Sequence, residues 1–266
     1  MPTRRPPLGQ HFLQSPDILD RIASYVRAAA RQSGLVVEIG AGPGPLTRRL
    51  VDLGLRVTAI EIDPRLVEKL RSACPGVEVV QEDVLQVDFA RLIPDRAVVA
   101  GNLPYYITSP ILRKLCDASG RISEAILLVQ EEVAHRVVAE PGGRDFGYLS
   151  VLCQVHSRPE MLFTVPPGAF RPPPQVTSAV VRLAMEERHR LWGVEDRDEF
   201  LRFVQLCFHQ KRKTLRNNLQ GRFGKEAVAG LAERGQRAEQ LSPEQLAALW
   251  RQLRRRAATA QGVDPR

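Results

Sequence analysis

The chain has 266 residues, of which 44% are hydrophobic and 26% charged, an ordinary globular balance with room for one large domain and a small one. No apolar run has bilayer length, and Cys74, Cys116, Cys153 and Cys207 are scattered without a CxxC pair or metal-ligand spacing, which excludes membrane-span, zinc-ribbon and disulfide-scaffold readings. The formal charge of +8 is uneven: residues 1–186 carry 21 Lys and Arg against 20 Asp and Glu, and residues 187–266 carry 17 against 10. A near-neutral body with a basic tail points to a polyanionic partner met partly through the tail. A solvated Arg-rich surface would give the same charge.

Residues 1–14 read as an extended arm, without the apolar core of a secretory signal. Ser15-Pro16-Asp17 opens a helix carrying Ile18, Leu19, Ile22 and Val26 at helical spacing. A strand follows at Leu35 to Ile39, then the turn Gly40-Ala41-Gly42-Pro43-Gly44 and a helix from Pro45. Strands are predicted at Arg56 to Glu61, Val77 to Val80, Ala97 to Ala100 and Ala125 to Val129, with Asp63-Pro64 capping the helix after the second. This βαβα alternation is that of a parallel, doubly wound α/β sheet. Arg144 to Val155 reads as helix, and Glu160–Val165 and Gln175–Ala184 as strands about a proline-stiffened loop containing Phe170. Beyond a composition break at 186–193 only helices are predicted, over Glu199–Leu219, Lys225–Glu233 and Pro243–Arg256, with 257–266 a frayed tail. The domains expected are therefore 1–186 and 187–266.

Three successive strand ends carry chemistry. The glycines after the first strand let the backbone turn tightly and approach a ligand. Pro45 replaces the third glycine of a dinucleotide fingerprint, and no GKS or GKT follows, so neither NAD nor a P-loop is implied. Glu61, 21 residues after Gly40, is placed to bind two ribose hydroxyls. Asp83 is placed to accept the amine of an adenine ring, although alone it reads equally as a loop acid. At the next strand end stands Asn102-Leu103-Pro104-Tyr105. The Asn oxygen and a carbonyl of Leu103 or Pro104 can accept hydrogen bonds from an exocyclic amine. Tyr105 can stack on a base drawn out of its helix, and Phe170 would form the facing wall. By itself the tetrapeptide is a Pro turn after a buried strand; the neighbouring strand ends give it a purpose.

With these strings in order, the chain resembles the small-subunit rRNA adenine N6-dimethyltransferase family over nearly its whole length. The resemblance rests on Gly9-Gln10-His11-Phe12-Leu13, Val37 to Gly44, Ile60-Glu61-Ile62-Asp63, Gln81-Glu82-Asp83, Gly101 to Tyr105, Phe146 to Val151, Val165 to Pro174 and Gln210 to Arg216. It implies a Rossmann-like class I methyltransferase domain with a small C-terminal helical domain. It implies S-adenosylmethionine as methyl donor, held by His11, Leu13, Gly40, Glu61, Asp83 and Asn102. Many family members have Asn where this chain has His11. It implies catalysis by Asn102, Pro104 and Tyr105, and RNA contacts by Phe170, Lys211, Arg212, Lys213 and Arg216. The substrate implied is a pair of adjacent adenosines near the 3′ end of small-subunit rRNA, within a pre-small-subunit particle, met by a cytoplasmic monomer. Rival readings are a methyltransferase of large-subunit rRNA, like the macrolide-resistance enzymes, and an assembly factor that binds rRNA without catalysis.

In the residues after 199, Phe200, Phe203, Val204, Cys207, Phe208, Leu215 and Leu219 fall on one helical face. Arg212, Lys213 and Arg216 then point away from it. Lys211 falls near the apolar stripe, so either its stem runs past the core edge or the helix breaks near His209-Gln210.

Overall fold

The protein is described from a computed structural model covering residues 11–260. Gly9 and Gln10 of the arm, and residues 261–266 of the expected tail, lie outside the described residues. In chain order the strands are β1 Phe12–Leu13, β2 Leu35–Ile39, β3 Arg56–Glu61, β4 Glu78–Gln81, β5 Ala97–Asn102, β6 Ile122–Gln130, β7 Ser157–Val165, β8 Phe170–Arg171 and β9 Ser178–Met185. The longer helices are α1 Pro16–Ala29, α2 Pro45–Asp52, α3 Pro64–Ala73, α4 Phe89–Leu92, α5 Thr108–Asp117, α6 Glu131–Val138 and α7 Tyr148–His156, followed by α8 Arg188–Leu191, α9 Arg197–Cys207, α10 Leu215–Phe223, α11 Lys225–Ala229 and α12 Pro243–Ala260.

Seven strands form one sheet in the order β4-β3-β2-β5-β6-β9-β7. The run from β4 to β6 is parallel, and β9 pairs antiparallel with β6. The central strands Leu35–Ile39 and Ala97–Gly101 are buried throughout, as parallel strands covered on both faces must be. On one face, Leu19, Ile22 and Val26 of α1 and Leu46 and Leu50 of α2 pack with Val36, Val57, Val98 and Ile126. Their i, i+3, i+4 spacing is what turns these helices toward the sheet. Asp63 begins α3 by accepting the Arg65 N–H at 2.9 Å, the expected cap. Ser15 precedes Pro16 with extended backbone but makes no side-chain cap bond.

Contacts divide the chain into two compact units. One takes residues up to His135 with Arg158–Met185, and the other takes Arg136–Ser157 with the residues from Glu186 onward. This differs from the single boundary expected at 186/187: the segment holding α7 groups with the C-terminal helices. Its Gly142 N–H bonds the Glu239 carbonyl at 2.6 Å, and Phe146 packs edge-on to Phe208.

In the second unit the long helix expected over Glu199–Leu219 is two helices. α9 stops at Cys207 and α10 starts at Leu215, with turns between. Asn218 holds that break: its amide donates to the Cys207 and Gln210 carbonyls at 2.8 and 3.2 Å, and its oxygen accepts the Gln210 N–H at 3.3 Å. The apolar stripe survives as burial, since Phe200, Phe203, Val204, Cys207, Leu215 and Leu219 are all buried, but two helices supply it. The last helix, expected to end at Arg256, runs to Ala260. No helix among the described residues is long and apolar enough to cross a membrane, and all four cysteines are buried, with no disulfide among them.

Candidate active site

After β2 the chain moves outward through β3 and β4, then returns to place β5 on the other side of β2. The crevice beyond the carboxyl ends of β2 and β5 is thus the topological switch point, where open α/β sheets bind ligands. Gly40 directly follows β2, and Asn102 ends β5. A Cβ at Gly101 would overlap the Ile39 carbonyl oxygen, so only glycine lets the two strand ends come this close.

A cavity opens here, lined by Gly40, Glu61, Asp83, Asn102, Pro104 and Tyr105 among others. Glu61 is 5% exposed, and its two oxygens accept the Gly42 and Asp63 N–H groups, each at 2.9 Å. Each oxygen keeps a further lone pair, so the carboxylate is oriented yet still able to accept two hydroxyls. Asp83 accepts the Leu85 N–H through Oδ1 at 2.9 Å, and Oδ2 has no protein partner among the described residues. Ile62 and Val84 also line this wall, and sequence reasoning passed over both. The signal was available: each is an apolar residue directly after a carboxylate at or just beyond a strand end, suited to the faces of a flat ring.

The arm closes the other side. β1 pairs antiparallel with β8, Phe12 opposite Arg171 and Leu13 opposite Phe170. The Gln14 N–H bonds the Ala169 carbonyl at 2.8 Å, and His11 Nδ1 donates to the Pro172 carbonyl at 2.8 Å. The Phe12 ring lies over Gly42, whose φ of +58° favours glycine and where a Cβ would come within 3.1 Å of that ring.

Asn102 is fixed by the arm: its Nδ2 donates to the His11 carbonyl oxygen at 2.8 Å. A carbonyl only accepts, so the NH2 must face it and Oδ1 faces the other way. Of the two carbonyls considered for the substrate amine, that of Pro104 already accepts the Ile107 N–H at 3.2 Å and the Thr108 hydroxyl at 3.1 Å. The Leu103 carbonyl has no partner among the described residues, and the Leu103 N–H is bound to the Leu128 carbonyl at 3.0 Å. The turn therefore offers two unpaired acceptors, Asn102 Oδ1 and Leu103 O. Half-buried Tyr105 is anchored by a 2.7 Å bond between its hydroxyl and Ser178 Oγ, and burial raises its phenol pKa.

Two expected site residues fall elsewhere. Phe170 does not face the cavity: its ring is fully buried in the core beside Leu13, Val165 and Ala169. Pairing of β8 with β1 makes its alternating neighbour, Arg171, the exposed residue. The ring brought to Tyr105 is that of His11, 5.7 Å away between centroids and inclined by 28°. Leu13 is likewise a core side chain at 4% exposure and does not line this cavity.

Glu38 was missed as a functional candidate. It is 2% exposed and accepts the Thr47 hydroxyl at 2.6 Å. Burial, against the Thr47 bond and with the repulsion of Glu61 added, raises its pKa to about 8. It is therefore mostly neutral at pH 7. A carboxylate inside an otherwise apolar strand was the sequence signal.

In the second unit, Arg212, Lys213 and Arg216 are exposed, the first two in the break between α9 and α10 and the third in the first turn of α10. Lys211 is partly committed to its own fold, donating to the Arg144 carbonyl at 2.6 Å with Glu239 3.9 Å away.

The sequence matches the family described as Ribosomal RNA adenine dimethylase over residues 1–254. This chain belongs to the ribosomal RNA adenine dimethylase family. Among curated relatives, the Ribosomal RNA small subunit methyltransferase A of Acidobacterium capsulatum is 44% identical, with 95% of this chain and 92% of the relative covered. Its namesake from Koribacter versatilis is 38% identical, with 96% of each covered. Among solved structures, a dimethyladenosine transferase from Plasmodium falciparum superposes with a TM-score of 0.75 at 26% identity, covering 95% of this chain and 99% of the other. The 23S rRNA methyltransferase ErmE superposes with a TM-score of 0.69 at 30% identity, covering 91% and 99%. The dimethylase family thus has here the Rossmann-like methyltransferase sheet, with its glycine turn, Glu61, Asp83 and Asn102 around one cavity.

Proposed function

We propose that this dimethylase transfers methyl groups from S-adenosylmethionine to N6 of two adjacent adenosines near the 3′ end of small-subunit rRNA, acting in the cytoplasm as a monomer on a pre-small-subunit particle. The observation that carries the chemistry is the bond from Asn102 Nδ2 to the His11 carbonyl, which leaves Asn102 Oδ1 and Leu103 O as paired acceptors beside Tyr105.

The residues fit the donor. Glu61 is preset to accept the ribose hydroxyls, Asp83 Oδ2 the adenine amine, and Ile62 and Val84 the ring faces. His11, Leu13, Gly40 and Asn102 would border its methionine end, Leu13 through its main chain. When bound, S-adenosylmethionine supplies an electrophilic methyl carbon.

The target N6 is a poor nucleophile because its lone pair is delocalised into the ring. Two acceptors, Asn102 Oδ1 and Leu103 O, hold its two protons and favour a more tetrahedral nitrogen with the lone pair free. Tyr105 stacks on the base and sets its plane. Positioning of this kind supplies roughly 7–11 kcal/mol of barrier reduction, and fixed dipoles add to it. No strong base is needed, because N6 becomes acidic once it carries the new bond. Pro104 acts by shaping the turn, since its carbonyl is occupied. Arg212, Lys213 and Arg216, with Lys211 partly engaged, supply phosphate contacts.

The likeness to ErmE supports a second reading, methylation of large-subunit RNA. Incubation of the protein and S-adenosylmethionine with immature small subunits, and separately with naked large-subunit RNA, followed by mass spectrometry of nucleosides, separates them. N6,N6-dimethyladenosine in the small-subunit RNA is expected; product only in the large-subunit RNA overturns the proposal. An intact Asn102 and Glu61 speak against a factor that binds without catalysis.

A further inference from the structure

We propose that Tyr106 is the stacking platform for the nucleobase beside the target adenosine, a subsite distinct from the slot served by Tyr105. This rests on the reading of the chain as an RNA adenine methyltransferase.

Tyr105–Ile107 is a 3-10 turn. At three residues per turn, adjacent side chains project about 120° apart. Tyr105 and Tyr106 therefore cannot serve the same ring. Tyr105 is held inward by Ser178, whereas Tyr106 is 62% exposed and still lines the cavity. The other tyrosines have partners: Tyr25 stacks on Phe163, and Tyr148 is also engaged. Tyr106 alone among them has no hydrogen bond or ring contact among the described residues. A large ring left in water at the mouth of a cavity gains most by covering another flat apolar face.

An RNA substrate supplies that face. Drawing one base out of a stack strips its neighbour of a partner, and the phosphodiester keeps that neighbour at the cavity mouth. Tyr106 replaces the lost partner. Stacking tolerates any base, because every base has a π face. The subsite therefore sets register, holding the next nucleotide while the target is methylated, and does not read sequence. For a substrate with two adjacent adenosines, the base parked on Tyr106 is itself a target.

The test uses the full chain and a short RNA with 2-aminopurine on one flank of the target adenosine, then on the other. Binding to the wild-type protein is expected to quench fluorescence at one flank. Tyr106→Ala is expected to remove the quench and raise KM for RNA roughly ten-fold, the size of one lost base stack. Tyr106→Phe and Tyr106→Trp are expected to restore both. Calorimetric affinity for S-adenosylmethionine is expected to be retained in all three, showing that the fold and donor site persist. An abasic flank is expected to lower wild type to the level of Tyr106→Ala without lowering Tyr106→Ala further. Equal quench and KM in wild type and Tyr106→Ala overturn the subsite. Absence of N6 methylation by the wild type overturns the parent reading instead, and the same assay reports the two separately.

Discussion

The His11 carbonyl accepts the Asn102 amide at 2.8 Å across 91 residues of chain, and this decides which end of the amide meets the substrate. Asn102→Asp replaces the donor with an acceptor, setting a carboxylate against a carbonyl. Asn102→Ala removes both groups. Each is expected to lower kcat by about 10²–10³ or more, the scale of losing one preorganised polar contact in an active site. RNA affinity by filter binding is expected to stay near wild type; wild-type turnover in either variant would refute the role of Asn102.

Glu61 accepts two N–H groups, so it cannot be exchanged for its amide without conflict. In Glu61→Gln one backbone N–H faces the new NH2 and loses its acceptor. A buried unpaired donor costs about 1–3 kcal/mol, and the hydroxyl acceptor is lost as well. Calorimetry is expected to show S-adenosylmethionine binding weakened at least ten-fold, with a lower Tm. Unchanged affinity would remove Glu61 from the ribose site.

What was legible in the sequence follows from how α/β sheets work. Glu61 and Asn102 end parallel strands and Gly40 and Asp83 lie just beyond the ends of two others, so period and turn chemistry located all four, and the cavity unites them. The orientation of Phe170 was not legible. Its direction depends on a two-residue strand whose partner, β1, lies nearly 160 residues earlier, and one step of register exchanges Phe170 for Arg171. The break between α9 and α10 was hidden because both helices contribute to one apolar core, so periodicity ran through the gap; Asn218, which holds it, resembles any surface amide. The grouping of Arg136–Ser157 with the C-terminal helices depends on contacts such as Gly142 with Glu239, which have no local signal.

Glu38 gives the stability curve a definite slope. Its pKa is raised on folding from an ordinary 4.5 to about 8, so between these values the folded state holds more proton than the unfolded state. That contribution is complete below the unfolded pKa and is lost as pH rises through the folded one, with a limiting slope of about 1.4 kcal/mol per pH unit. Glu38→Gln keeps the Thr47 bond and does not ionise. Thermal melts from pH 6 to 9 are expected to show wild type losing Tm relative to Glu38→Gln; parallel curves would mean that Glu38 ionises without penalty.

Gly101→Ala tests the close approach of β5 to β2. The added methyl meets the Ile39 carbonyl, a backbone atom in a central strand, and the sheet must part to admit it. A loss of about 3 kcal/mol or more in urea unfolding is expected, in the range of severe core disruption, with Asn102 displaced and activity lost. A loss below about 1 kcal/mol would show that the strand ends yield easily.

Reversal of Lys213 and Arg216 to Glu is expected to weaken RNA binding and flatten its salt dependence by about 0.7–0.9 per lost phosphate contact. Circular dichroism is expected to be unchanged, because both side chains are exposed. An unaltered salt slope would move the RNA surface away from the α9–α10 break.

The arm that orients Asn102 is itself held by residues made much later. Phe12 and Leu13 pair with Arg171 and Phe170, Gln14 bonds Ala169, and His11 bonds Pro172. A chain still in synthesis can carry the glycine turn, Glu61 and Asn102 while lacking the strand that fastens the arm. The acceptor pair at Asn102 and Leu103 is therefore completed only after residue 172 has been added, and residues 11–14 wait through most of translation to find their place.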